Sequence, residues 1–288
     1  MMEQTGPSPR ERFERLWLGL AFVATGLLVI VVFSPWRPLM SRVPDYVGRV
    51  LLCAALGTVW RVVRRSGLTR RYGPIAFGLF VLALTVTLDR IISIYVVDYL
   101  GVTDEVPSGW AIPKVNEFLI VFAVIILCTR LSGERLGAIY LHRGRLRLGL
   151  IIGLLAFAVG AVGAIPVAGL LFNAPGLTLA RVIPWLPWLL PYVLANGALE
   201  ELMFRGLFLR KLQPFFGSFH SNLVLAVVFT LLHHGVSYTS DQYLFLAITF
   251  PLALAWGYLA QKTDGLWGSI LFHAGMDIPI MLGTFANL

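Results

Sequence analysis

Residues 148–172 read LGLIIGLLAFAVGAVGAIPVAGLLF, without a single charged side chain. A bilayer-spanning helix needs about 20 consecutive, mostly apolar residues, and this run exceeds that. Working outward from it, eight further runs have the same character, at roughly 16–33, 46–63, 74–97, 115–131, 184–209, 219–236, 243–261 and 266–286. The run 184–209 is the least regular, because Pro184, Pro187 and Pro191 interrupt its start. Proline is tolerated in a membrane helix where neighbours satisfy the freed backbone groups. One short or re-entrant segment would lower the count by one. The fold expected is all-α, a polytopic transmembrane helical bundle of about 8–9 spans.

Composition points the same way. Only 13% of the 288 residues are charged and 58% are hydrophobic, against about 25% charged in a soluble domain. No polar stretch is long enough to fold alone. The formal charge of +8 comes almost entirely from arginine. The arginines lie between apolar runs, as topology signals do, so nucleic acid is not an expected partner. Loop 61–71 holds Arg61, Arg64, Arg65, Arg70 and Arg71 and no acid. Loop 130–147 holds Arg130, Arg135, Arg143, Arg145 and Arg147 against Glu134. Both are expected in the cytoplasm. Loop 98–113, with Asp98, Asp104 and Glu105, is expected outside, and Arg205, Arg210 and Lys211 are read as a third internal turn. The N-terminus is then cytoplasmic, in a multi-pass integral protein of the plasma membrane.

The first run is read as a span. Arg10, Arg12 and Arg15 alternate with Glu11 and Glu14, and Ser34-Pro35-Trp36 lacks the small residues of a cleavage site. Cys53 and Cys128 fall inside apolar runs and make neither a disulfide framework nor a zinc ribbon. Residues 132–147 are basic and amphipathic. They are read as an ordinary loop in preference to a surface helix.

An ionisable group in hydrocarbon costs about 2.5–3.5 kcal/mol on the translocon scale. Asp89 and Arg90 interrupt the third run. Glu200, Glu201 and Arg205 lie in the sixth, His233 and His234 in the seventh, His273 and Asp277 in the ninth. Other ionisable groups are expected near span ends. Glu201 and Arg205 stand at i and i+4, on one helix face, and form the simplest pair. Glu200 points about 100° away and lacks a local counter-charge. An unpaired carboxylate there suits a general base; a structural ion cluster of all three residues is the alternative. His273 and Asp277 are also i and i+4, so Asp277 can fix the imidazole tautomer, or merely satisfy it. Together the strings place four groups on three helices. Such a set can deprotonate water, hold a carbonyl oxygen and protonate a leaving amine.

In that order, Glu200-Glu201-x-x-x-Arg205, Phe229-x-x-x-His233 and His273-x-x-x-Asp277 resemble the three motifs of the CPBP family, the Abi or type II CAAX prenyl endopeptidase-like intramembrane proteases. Gly257 and the string Thr263-Asp264-Gly265-Leu266-Trp267-Gly268-Ser269-Ile270 fit as well. The resemblance covers about residues 145–285 and implies two regions. Residues 1–144 would hold about four N-terminal transmembrane helices and a basic loop, and 145–288 the protease domain. It further implies an eight-helix-type bundle with an active-site cavity inside the membrane. By the same resemblance, Glu200 and His233 activate water, Glu201 and Arg205 complete the first motif, and His273 with position 277 stabilises the oxyanion. Well-studied relatives carry asparagine where this chain has Asp277. An ionised aspartate cannot donate to an oxyanion. Asp277 therefore orients His273, stays protonated, or binds a metal.

The favoured expectation is an endopeptidase that needs no cofactor. A Zn²⁺ enzyme with Glu200, His233, His273 and Asp277 as ligands is the rival. Beyond membrane lipids, the expected partner is a membrane-associated or lipidated peptide or protein substrate. Two readings from other classes compete: a non-catalytic immunity or scaffold factor, and a proton-coupled transporter using the same carboxylates. Counting residues leaves a tension in depth. Glu200 falls near the middle or inner part of its span, His233 toward the outer end, and His273 about 10 Å from the inner end.

Overall fold

Lipid offers no water to backbone N–H and C=O groups, so a spanning segment must close its own hydrogen bonds. The computed structural model describes residues 8–34, 39–67, 69–239 and 241–288, and among these no strand occurs. The helices are α1 Pro9–Leu27, α2 Arg42–Arg65, α3 Gly73–Leu100, α4 Pro107–Leu131, α5 Leu146–Leu171, α6 Leu179–Val182, α7 Leu186–Glu201, α8 Arg210–Leu232, α9 Gln242–Thr263 and α10 Trp267–Ala286. A π-helical segment, Leu202–Leu209, joins α7 to α8. The start of α1 is set by a capping box: Ser8 Oγ accepts from Glu11 N at 3.3 Å, and the Glu11 carboxylate accepts from Ser8 N at 2.8 Å. The end of the first run at Pro35-Trp36 lies outside the described residues.

Among the described residues, eight helical stretches are long and apolar enough to cross a bilayer. On α5, Val159, Val162 and Leu170 are 70, 85 and 79% exposed. An apolar outer face of that kind matches lipid tails, not water. The protein is an integral, multi-pass helical bundle. Residues 132–145 form a loop with one short 3-10 turn, Leu136–Ile139, as the loop reading expected.

The longest stretch, Leu179–Leu232, would measure about 80 Å as one rod, against a hydrocarbon core of about 30 Å. It folds back at Gly217, whose φ of 73° lies in the region that favours glycine. Phe204 and Phe229, on opposite sides of that bend, have ring centroids 5.1 Å apart. The stretch is therefore a hairpin with two legs, matching the expected runs 184–209 and 219–236. The first leg stays helical well past 209, so the turn is at Gly217 and not at Arg205–Lys211. Arg205 lies inside the bundle, fully buried.

Helix α10 packs along α5 and also touches α7 and α9; α4 packs on α7 and α3; α8 packs on α9. The α5–α10 contact is backbone to backbone. A Cβ on Gly160 would strike the Gly275 carbonyl, and one on Gly275 would meet Phe157 Cα at 2.5 Å. Small residues permit this approach, which drives helix association in lipid. Gly275→Leu is expected to cost about 3 kcal/mol, the upper range for overpacking. The thermal midpoint in detergent would fall accordingly, and an unchanged midpoint would mean that the helices have room to part.

Candidate active site

The site is assembled on α7 and α10. Glycine at position 197 lets the two helices meet: a Cβ there would sit 3.0 Å from Ala274 N and Ile270 O. Glu201, one turn after Gly197, and His273, next to Ala274, are thus brought face to face. Glu201 Oε1 accepts from Arg205 Nη1 at 2.9 Å and pairs with His273 Nδ1 at 3.0 Å. The i,i+4 pairing of Glu201 with Arg205 is as the spacing implied. Arg205 Nη2 donates to the Ala253 carbonyl at 2.7 Å. Its guanidinium lies 4.9 Å from the Phe229 ring centroid and 5.5 Å from that of Trp256. Glu201 and Arg205 are fully buried.

This fixed pair orients the imidazole. An ionised carboxylate only accepts, so Nδ1 carries the hydrogen toward Glu201. Trp256 stacks flat on the His273 ring, with centroids 3.9 Å apart and 6° between planes. The other ring nitrogen, Nε2, faces Glu200 Oε2 at 3.4 Å and Asp277 Oδ1 at 3.7 Å. The second Asp277 oxygen accepts from Asn196 Nδ2 at 2.9 Å. Tyr192, Asn196 and Glu200 recur every fourth residue of α7 and line one face of it. The π-helical turn begins directly after Glu201, and such turns are frequent at functional sites.

The structure thus brings Glu200, Glu201, Arg205, His273 and Asp277 into direct contact. His233 is placed differently. It caps the end of α8, with Nδ1 at 2.8 Å from the Phe229 carbonyl. Phe229 stands beside it at 4.6 Å and beside His273 at 5.7 Å, centroid to centroid. His234 faces outward.

The depth tension disappears once the hairpin is measured from a common level. Arg210 pairs with Asp264 in the α9–α10 turn. From that latch Glu200 lies about 15 Å up one helix and His273 about 13 Å up another, at 1.5 Å per residue. The second leg starts lower, at Gly217, so its longer climb also returns His233 to about 14 Å.

Sequence reasoning missed several members. Asn196 carried a signal, being a polar residue four before Glu200. Trp256 carried none, because one aromatic in an apolar run looks like any other. Asp45, Arg49, Lys114 and Glu117 were expected near span ends. Helix α4 begins well before its run and carries Lys114 and Glu117 inward, whereas Asp45 does lie in the first turn of α2 and is buried there with Arg49. Asp45 and Arg49 pair at 3.0 Å with almost no exposure. Lys114 Nζ is 2.6 Å from Glu117 Oε2. Asp89 accepts from Ser93 Oγ at 2.6 Å, and Ser93 Oγ accepts from Asn116 Nδ2 at 2.9 Å.

Of the four expected zinc ligands, Glu200, His273 and Asp277 adjoin one another and His233 stands apart. Among the described residues no group of three or more His, Cys, Asp or Glu has the geometry to hold a metal ion. His233, the second expected histidine, has Nδ1 engaged with the Phe229 carbonyl.

A multi-pass helical membrane protein with a carboxylate–imidazole cluster inside its bundle is the class that fold and site define. Residues 182–279 match the family model of the type II CAAX prenyl endopeptidase Rce1-like proteins. The matched segment runs from the end of α6 through the hairpin and α9 to Pro279 of α10. No curated protein and no solved structure matches the chain.

Proposed function

We propose that the protein is an intramembrane endopeptidase that hydrolyses a peptide bond of a membrane-associated substrate with Glu200 as general base. The observation that carries this reading is the state of Glu200. Its Oε2 is buried and has no hydrogen-bond partner among the described residues, while the adjacent Glu201 is committed to Arg205 and His273. An uncommitted carboxylate beside an oriented imidazole is the arrangement a water-activating base needs.

Glu200 takes a proton from water as the water oxygen bonds to the scissile carbonyl carbon. His273 has a carboxylate on each ring nitrogen and serves as the imidazolium, with Nε2–H donating to the oxyanion. The tetrahedral carbon then expels the amine, and Glu200 returns its proton to the leaving nitrogen. The products are one carboxylic acid and one amine. Glu201 and Arg205 hold His273 in place, and Asn196 holds Asp277. His233 supports the site through Phe229. The family's name supplies the candidate substrate class, a lipid-anchored C-terminal peptide; the residues above require only that the scissile bond reach the bundle interior.

The test is comparative mapping of membrane-protein C-termini in cells carrying wild-type or Glu200→Ala protein. New C-termini present only with wild-type protein are expected. Identical C-termini in both would sink the hydrolase reading and favour a non-catalytic membrane factor. Metal dependence is decided on purified protein: after chelation and metal analysis, cleavage is expected to persist at full rate. Loss on chelation with recovery on added Zn²⁺ would instead establish the zinc form. Asp277→Asn is expected to keep activity within about tenfold, because an amide can still pair with Asn196 and can donate toward an oxyanion.

A further inference from the structure

Two carboxylates, Glu200 and Asp277, converge on the Nε2 of His273 from 3.4 and 3.7 Å. Arg205 directs its hydrogen bonds elsewhere, Nη1 to Glu201 and Nη2 to the Ala253 carbonyl. A further cation comes from α4, a helix outside residues 182–279 and without a recognised motif. Lys114 Nζ lies 5.8 Å from the Tyr192 ring centroid while bonded to Glu117 at 2.6 Å. Tyr192 is one helical turn before Asn196 and two before Glu200, on the same face of α7. Asn196 in turn grips Asp277. Lys114 thus stands beside the face of α7 that carries Tyr192, Asn196 and Glu200, and its charge favours the ionised form of the carboxylates there. Like charges crowded in a low-dielectric interior repel strongly, and a neighbouring cation offsets that repulsion. The aspartate at 277, where the resembling family carries asparagine, adds the negative charge that makes such a cation useful here.

We propose that Lys114 is a positioning residue of the site, whose ammonium, set against the Tyr192–Asn196–Glu200 face of α7, offsets the repulsion between Glu200 and Asp277 where they converge on His273. The catalytic part of this proposal rests on the hydrolase reading; the charge coupling does not.

The experiment compares full-length wild-type, Lys114→Met, Lys114→Arg, Asp277→Asn and the double variant Lys114→Met/Asp277→Asn in the same lipid nanodiscs. Thermal midpoints need no substrate. Lys114→Met is expected to lower the midpoint, and adding Asp277→Asn to raise it again, because the second change removes the charge that Lys114 balanced. Additive shifts would overturn the coupling. Cleavage is read on a membrane-anchored peptide taken from the C-terminal comparison. Lys114→Met is expected to lower kcat at least about tenfold with KM within about threefold, and Lys114→Arg to keep at least a third of the rate. The double variant should regain at least about threefold over Lys114→Met. Equal loss in the Met and Arg variants without rescue would overturn the positioning role. Unchanged C-termini with Glu200→Ala would remove the hydrolase reading, and the midpoint cycle would still decide the coupling.

Discussion

Glu200→Gln abolishes cleavage: kcat is expected to fall by a factor of about 10²–10⁴, the usual contribution of a positioned general base. The substitution keeps the side-chain shape and removes the ability to take a proton from water. It should not unfold the protein. Glu200 Oε2 has no hydrogen-bond partner to lose among the described residues, and Gln can still face His273. The expected signature is therefore a silent stability profile with lost turnover and nearly unchanged KM, since a general base acts in the transition state more than in substrate binding. Wild-type turnover in Glu200→Gln protein would remove Glu200 from the chemistry and leave the cluster as structural.

Arg205→Met has the opposite profile. Glu201 is fully buried, and removal of its arginine leaves an uncompensated charge. Breaking a buried ion pair from one side costs about 3–5 kcal/mol, which for a chain of this size corresponds to a fall in thermal midpoint of about 10 °C. Replacing both partners by apolar residues, Glu201→Leu with Arg205→Met, should recover most of that stability, because desolvation offsets much of the attraction in a buried pair. Activity should not return. His273 Nδ1 loses the carboxylate it is bonded to, the Oε1 of Glu201 at 3.0 Å, and the ring is no longer fixed in tautomer or direction. Recovered midpoint without recovered turnover separates the orienting role of Glu201 from its role in packing. Recovery of both would show that Trp256 alone holds the imidazole.

Helix class and membrane residence were legible in the sequence because they follow from one-dimensional constraints. Each spanning segment must satisfy its own backbone and meet lipid with apolar side chains, so runs such as 148–172 could become little else. Spacing also revealed the Glu201–Arg205 pair, since i and i+4 share a helix face in any α-helix. The same rule offered Asp277 as the orienting partner of His273, and there it was insufficient. The hydrogen-bonding partner is Glu201, 72 positions away in sequence, reached because Gly197 lets α7 and α10 close together. No local pattern encodes that approach. The depth of the site was likewise hidden, because it depends on where a helical hairpin reverses, and one glycine with φ of 73° places that bend beyond the apolar run.

The intramembrane acids and histidines were therefore visible from the sequence as a costly set needing an explanation. Tertiary structure decided their allegiances. It placed Glu201, Arg205 and Trp256 around His273, gave Asp277 to Asn196, and set Phe229 between His233 and the cluster. It also carried Lys114 inward on a helix that bears no motif. The physical reason is common to all four: electrostatics in an apolar bundle depend on distance across helices, and sequence spacing reports distance only along one.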